Sequence, residues 1–137
     1  TTAIALALDA TELIVTARAV DASGNRSAPF QITVPVAQNQ PPTVQLVNVG
    51  GQTIVPQGAA LQFDVVATDD VALAQLNFTA TGAATASVTE PVAAGTTNTT
   101  RRFTVNVPAD ATPGAAITVQ AAALDTGALQ STPAVLN

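Results

Sequence analysis

Few side chains in this sequence can do chemistry. It has nine carboxylates and four arginines, with no histidine, cysteine, lysine, tyrosine or tryptophan among its 137 residues. Without histidine the commonest general base and transition-metal ligand are missing. Without cysteine there is neither a disulfide nor a thiolate site. Without lysine no Schiff base or Ser–Lys dyad can form. A serine or threonine nucleophile would have only a carboxylate for a partner. What remains is oxygen-donor chemistry. The candidates are Asp9, Glu12, Asn39, Asp69, Asp70 and Asp125, a set that would suit Ca²⁺, which takes 6–8 oxygen ligands in irregular geometry. The competing role is turn capping, as in Asp21-Ala22-Ser23-Gly24 and Thr68-Asp69-Asp70, where an aspartate bonds its own backbone. No dense Asp-x-Asp run favours the metal. Adjacent residues of an extended chain point to opposite faces, so Asp69-Asp70 does not read as a catalytic carboxylate pair, which must face each other across a substrate. The sequence is read as non-enzymatic and as requiring no cofactor, with Ca²⁺ the one candidate ligand.

The other reactive patterns are weaker. Asn25-Arg26-Ser27, Asn77-Phe78-Thr79 and Asn98-Thr99-Thr100 match the glycosylation acceptor triplet; Asn98, expected in an exposed loop, is the best of them. Phe30, Phe63, Phe78 and Phe103 fall at inward registers and are expected in a core, not on a sugar-stacking surface. Arg101-Arg102 reads as a solvated basic edge that resists edge-to-edge pairing, or as a salt-bridge donor to a neighbouring unit or chain. A net charge of −5 argues against nucleic acid, whose affinity comes mainly from lysine and arginine neutralising phosphates, and against anionic membrane surfaces. No apolar run approaches the ~20 residues of a membrane span. The opening segment carries Asp9 and Glu12 and lacks the basic start of a signal peptide.

These residues sit on a pattern of short alternating segments broken by turn residues. Residues 43–49, 61–68, 71–81, 85–90, 101–107 and 116–124, with a last segment from Pro133, read as seven strands. Leu61, Phe63, Val65 and Ala67 share a face, as do Phe103, Val105 and Val107. Alanine is a helix former, but here it alternates at period two with Val, Thr and Gln, and periodicity outweighs propensity. The expected fold is an all-β, immunoglobulin-like antiparallel β-sandwich.

The chain also repeats itself. Val15, Ala17, Ala19, Asp21, Ser27 and Pro29 recur as Val119, Ala121, Ala123, Asp125, Ser131 and Pro133, an offset of 104 residues. Such a period marks tandem units. Residues 1–36 then read as the last three strands (about 2–8, 12–21 and 28–36) of an incomplete unit, 37–42 as a proline-rich linker, and 43–137 as a complete unit. The apolar face of those three strands, with Phe30, Ile32 and Val34, must be covered by something: preceding strands of the same protein, or another chain by strand addition. At the junction, the loops bearing Asp69, Asp70 and Asp125 are expected to meet Asn39, Asp9 and Glu12.

VTARAVDASGNRSAPFQITV (15–34) resembles the closing strands of a bacterial immunoglobulin-like (Big-type) domain, and PPTVQLVNVGG with LQFDVVATDDVAL (41–51, 61–73) is similar to the opening of the next. The last hairpin departs from the pattern, with Asp125-Thr126-Gly127-Ala128 in place of the Gly-Asn turn. The resemblance implies tandem repeats in a large secreted or surface adhesin-like protein: a spacer, stalk or fibre unit whose partners are neighbouring units or copies of itself. Two other readings stand beside it. One is the subunit of an extracellular helical filament completed by inter-subunit strand exchange; the other is an accessory carbohydrate-binding module of a secreted enzyme.

Overall fold

The computed structural model describes residues 10–137. The expected strand at 2–8 and Asp9 lie outside the described residues. Every regular element described is a β-strand, and every pairing is antiparallel. The chain divides into two compact units, Thr1–Gln38 and Asn39–Asn137.

In the first unit, β1 (Glu12–Ala17) pairs with β2 (Phe30–Pro35). Side chains alternate along each strand, so the register sorts them into two faces. Leu13 lies opposite Val34, Val15 opposite Ile32, and Ala17 opposite Phe30, which makes one face wholly apolar. The other face holds Glu12, Thr16, Gln31 and Thr33 around Ile14 and Pro35. Phe30, expected in a core, is 66% exposed, and Val15, Ile32 and Val34 on the same face are exposed with it among the described residues.

The second unit has the seven expected strands: β3 (Thr43–Asn48), β4 (Ala60–Thr68), β5 (Leu73–Gly82), β6 (Ala86–Pro91), β7 (Asn98–Asn106), β8 (Ile117–Asp125) and β9 (Ala134–Leu136). They form a three-stranded sheet, β3-β4-β7, and a four-stranded sheet, β6-β5-β8-β9. Buried side chains from both sheets make a single cluster, giving a β-sandwich-like all-β unit. Leu61, Phe63, Val65 and Ala67 on β4, Leu76, Phe78 and Ala80 on β5, and Phe103 and Val105 on β7 are all buried, as the alternation required. The Phe78 ring stacks on Phe103 across the two sheets, with centroids 4.6 Å apart, and tilts against Phe63 at 6.0 Å. These rings lie in a core otherwise made of Leu, Val and Ala side chains.

Arg101 and Arg102 each pair with a carboxylate of this same unit. Arg102 faces Asp64 directly in the β4–β7 register and forks onto its carboxylate at 2.8 and 2.9 Å. The opposite alternation turns Arg101 toward Glu90 on β6, at 2.7 Å. That ion pair joins the edge strands of the two sheets.

The β1–β2 and β8–β9 hairpins share one geometry at the 104-residue offset. Val15–Ile32, Thr16–Gln31 and Ala17–Phe30 correspond to Val119–Leu136, Gln120–Val135 and Ala121–Ala134. The isolated bridge Val20–Arg26 corresponds to Leu124–Gln130.

Candidate functional site

The acidic candidates of the second unit gather at the end where β4 and β8 finish and β3 begins. β4 ends at Thr68, and Asp69 turns the chain into β5. The Asp69 Oδ2 atom accepts the backbone N–H groups of Val71 (3.0 Å) and Ala72 (2.7 Å), a local cap of the kind aspartate favours. Asp70 Oδ1 accepts the backbone N–H of Gln40 at 3.2 Å. The two carboxylates therefore serve different segments and do not act as a pair.

Asp125 ends β8, opposite Leu73, and is 1% exposed. Its Oδ1 accepts the Leu129 N–H at 2.7 Å, closing the last hairpin, and its Oδ2 accepts the Asn39 side-chain amide at 2.7 Å. A buried carboxylate is tolerable only when such charge-assisted bonds replace its water. Asn39, expected as an oxygen ligand, thus works through its nitrogen: only the NH₂ end of an amide can donate to a carboxylate. Gly127 makes the room. A Cβ built there would lie 2.5 Å from Asn39 Nδ2. Asn39 and Gln40, expected in a linker, are accordingly bonded into the second unit.

The same turn occurs in the first unit with a different partner. Asp21 Oδ1 accepts the N–H of Asn25 at 2.9 Å, as Asp125 does that of Leu129, and Asp21 Oδ2 accepts the Asn25 side-chain amide at 2.9 Å. Ser27 Oγ accepts the Ala19 N–H at 3.0 Å, as Ser131 Oγ accepts that of Ala123 at 3.0 Å. Hydrogen bonds to Asn25 and nearby backbone groups hold the Asp21 carboxyl below its ordinary value. The left-handed position is Gly24 (φ +86°) in one turn and Ala128 (φ +66°) in the other. Where the local Asn25 is replaced by Leu129, Asn39 from the segment ahead of β3 supplies the missing amide.

The oxygens of the cluster are unevenly engaged. Both Asp125 oxygens and one Asp69 oxygen are spent on N–H donors. Asn39 Oδ1 and Asp69 Oδ1 are buried without a partner, but no group of three or more acidic side chains close enough to hold a metal occurs among the described residues. Glu12 belongs to the first unit, exposed at the start of β1 opposite Pro35. Asn98 is exposed, as expected, but as the first residue of β7 opposite Thr68 and not within a loop.

At the opposite end of the second unit the sheets part around an apolar cleft of ≈ 540 Å³. Leu61, Phe63, Val119 and Leu136 line it, between the 51–57 loop and the 111–116 loop. Sequence reading missed this cleft and the Asn39–Asp125 bond, because both depend on which loops meet in space. No helix among the described residues is long and apolar enough to cross a membrane. Compared with protein-family models and with curated proteins, the chain matches none.

Proposed function

We propose that this chain is a non-enzymatic structural segment of a tandem array of immunoglobulin-like units in a secreted or surface-displayed bacterial protein, serving as spacer, stalk or adhesin fibre. One observation carries the reading. The two hairpins share side-chain identities, strand register, bridge position and turn hydrogen bonds at a constant offset of 104 residues. Sequence identity alone can arise by chance in a chain rich in Ala, Val and Thr. Agreement of the Asp–turn–Ser hydrogen bonds with it favours two copies of one unit.

On this reading β1 and β2 are the last two strands of a unit like the second. In the second unit the matching residues, Val119, Ala121 and Leu136, pack against the facing sheet; in the first the apolar face awaits an equivalent sheet. The strand order supports an immunoglobulin-like variant. A three-stranded sheet faces a four-stranded one, and the fourth strand, β6, pairs with the third, β5, in place of the constant-type arrangement in which it joins the first sheet. The chemistry of the candidate site agrees: its carboxylates hold turns and the segment ahead of β3.

The test is a chimaera in which a copy of residues 39–109 is fused ahead of Asp9, with Phe30→Trp as reporter. Completion of the first unit shifts the tryptophan emission to the blue and abolishes binding of a hydrophobic dye; an indole that stays in water counts against the array. The filament reading rests on the same exposed apolar face. It requires concentration-dependent assembly of the unmodified chain in sedimentation, whereas completion in cis does not. The carbohydrate-module reading is left with Phe30 as its one exposed aromatic, and calls for glycan binding that is lost in Phe30→Ala.

A further inference from the structure

The ≈ 540 Å³ cleft at the far end of the second unit has an internal counterpart that identifies its occupant. In the first unit, β2 runs on beyond the region that β9 matches. Thr33 pairs with Ile14, Val34 with Leu13 and Pro35 with Glu12, and the Val36 N–H donates to the Thr11 carbonyl at 2.9 Å. At the 104-residue offset, Thr33 corresponds to Asn137 and Ile14 to Thr118. The Thr118 hydroxyl does donate to Asn137 Oδ1, at 3.0 Å. Counted back from Thr118 as from Ile14, the strand positions held by Leu13, Glu12 and Thr11, which receive Val34, Pro35 and Val36 in the first unit, fall on Ile117, Ala116 and Ala115. All three line the cleft.

We propose that the cleft receives an extended apolar segment of the Val-Pro-Val type, running straight on from Asn137 as the continuation of β9 and antiparallel to residues 115–117. Three features of the cleft fit such an occupant. Its floor is apolar, formed by Leu61, Phe63 and Leu136, and suits a valine that follows Leu136 on the inward face at period two. Ile54, 89% exposed on the 51–57 loop at the rim, gains an apolar neighbour. Asn48 lines the cleft with a buried, unpartnered Oδ1, an acceptor suited to the backbone N–H groups that an extended chain carries. The cleft is thus the seat of the polypeptide that leads out of the unit. Its polar counterpart at the other end is the segment leading in, held by Asn39 and Gln40.

This inference rests on reading the two units as copies, and its test is separate from that of the array. The full chain is prepared with Val-Pro-Val-Ala appended after Asn137, and in parallel with Gly-Ser-Gly-Ser. The apolar tail is expected to raise the melting midpoint by roughly 4–8 °C over the Gly/Ser tail, a shift readily resolved for a unit of this size. Register gives a second readout. Directly opposed Cβ atoms on paired strands lie ~4.5–5.5 Å apart, close to disulfide range, and the chain has no cysteine of its own. Ile117→Cys should therefore oxidise with a cysteine at the first appended position and stay reduced with one at the second. Equal midpoints for the two tails, or cross-linking indifferent to position, would overturn the proposal. If the tail fails to dock while the chimaera buries its reporter, this inference falls and the array stands.

Discussion

The bond between Asn39 and Asp125 makes a sharp prediction for Asn39→Ala. The Asp125 carboxylate is 1% exposed, and its two oxygens are held by two donors, each at 2.7 Å. A hydrogen bond to a charged group contributes about 1.5–3 kcal/mol, and a buried acceptor left without its donor costs the desolvation of that group. Asn39 is only half-buried, so water can reach part of the space its amide vacates. This sets the expected loss near the lower end, about 1.5–2 kcal/mol. For a unit of this size that is a fall in melting temperature of roughly 6–15 °C. The assay is urea and thermal unfolding of the full chain at pH 7, followed by circular dichroism. A double-mutant cycle with Asp125→Asn separates the charge-assisted part: an amide at 125 removes the charge, and the cost of Asn39→Ala should fall to about 1 kcal/mol. A loss below about 0.5 kcal/mol, within the usual range for surface substitutions, would refute the reasoning. Asn39 would then be an incidental neighbour, with Asp125 solvated by another route.

Three further outcomes are expected. Ala128→Gly relieves a left-handed alanine at the position where the first unit uses Gly24. It should stabilise by about 0.5–1 kcal/mol once the added freedom of the unfolded chain is subtracted, and a loss of stability in urea would show that the turn is not strained. The Arg102 fork holds the Asp64 carboxyl below its ordinary value of 3.8. A lowered folded value contributes stability that is fully present above the ordinary value of 3.8 and is lost as pH falls below it and through the lowered folded value. Arg102→Gln should therefore flatten the acid limb of the urea midpoint against pH and leave its shape above pH 5 unchanged; an unaltered acid limb would count against the pair. Finally, with both Asp125 oxygens and Asp69 Oδ2 spent on turn and linker N–H groups, millimolar Ca²⁺ should leave the melting temperature where it is. A rise would return these oxygens to the role of metal ligands.

The fold was legible wherever one face of a strand meets a core and the other meets water, because that asymmetry writes period two into the residues. LQFDVVAT and RRFTVNV yield their inward sets directly, and β4 and β7 bury those sets. The same logic fails for Phe30. Alternation says which face is apolar and not whether anything lies against it, and the hairpin leaves that ring 66% exposed. The candidate site was half legible. Asp69, Asp70, Asn39 and Asp125 do assemble at one end of the second unit, since each falls at a strand terminus or just ahead of the first strand. Their chemistry was not legible, because a carboxylate next to a turn can cap an N–H or ligate a cation with the same residue type.

By itself, then, the sequence determined the strand pattern, the exclusion of thiol, imidazole and amine chemistry, and the 104-residue recurrence, all properties of residue type and spacing along one dimension. Only the tertiary structure decided what depends on contacts between residues far apart in that dimension. It turned Asn39 to donate where an oxygen ligand was expected, 86 residues from Asp125. It spent Arg101 on Glu90 between the edges of two sheets. It also opened a cleft beside Ile117 and Leu136, since the loops around it are set by where the strands end and not by their own residues.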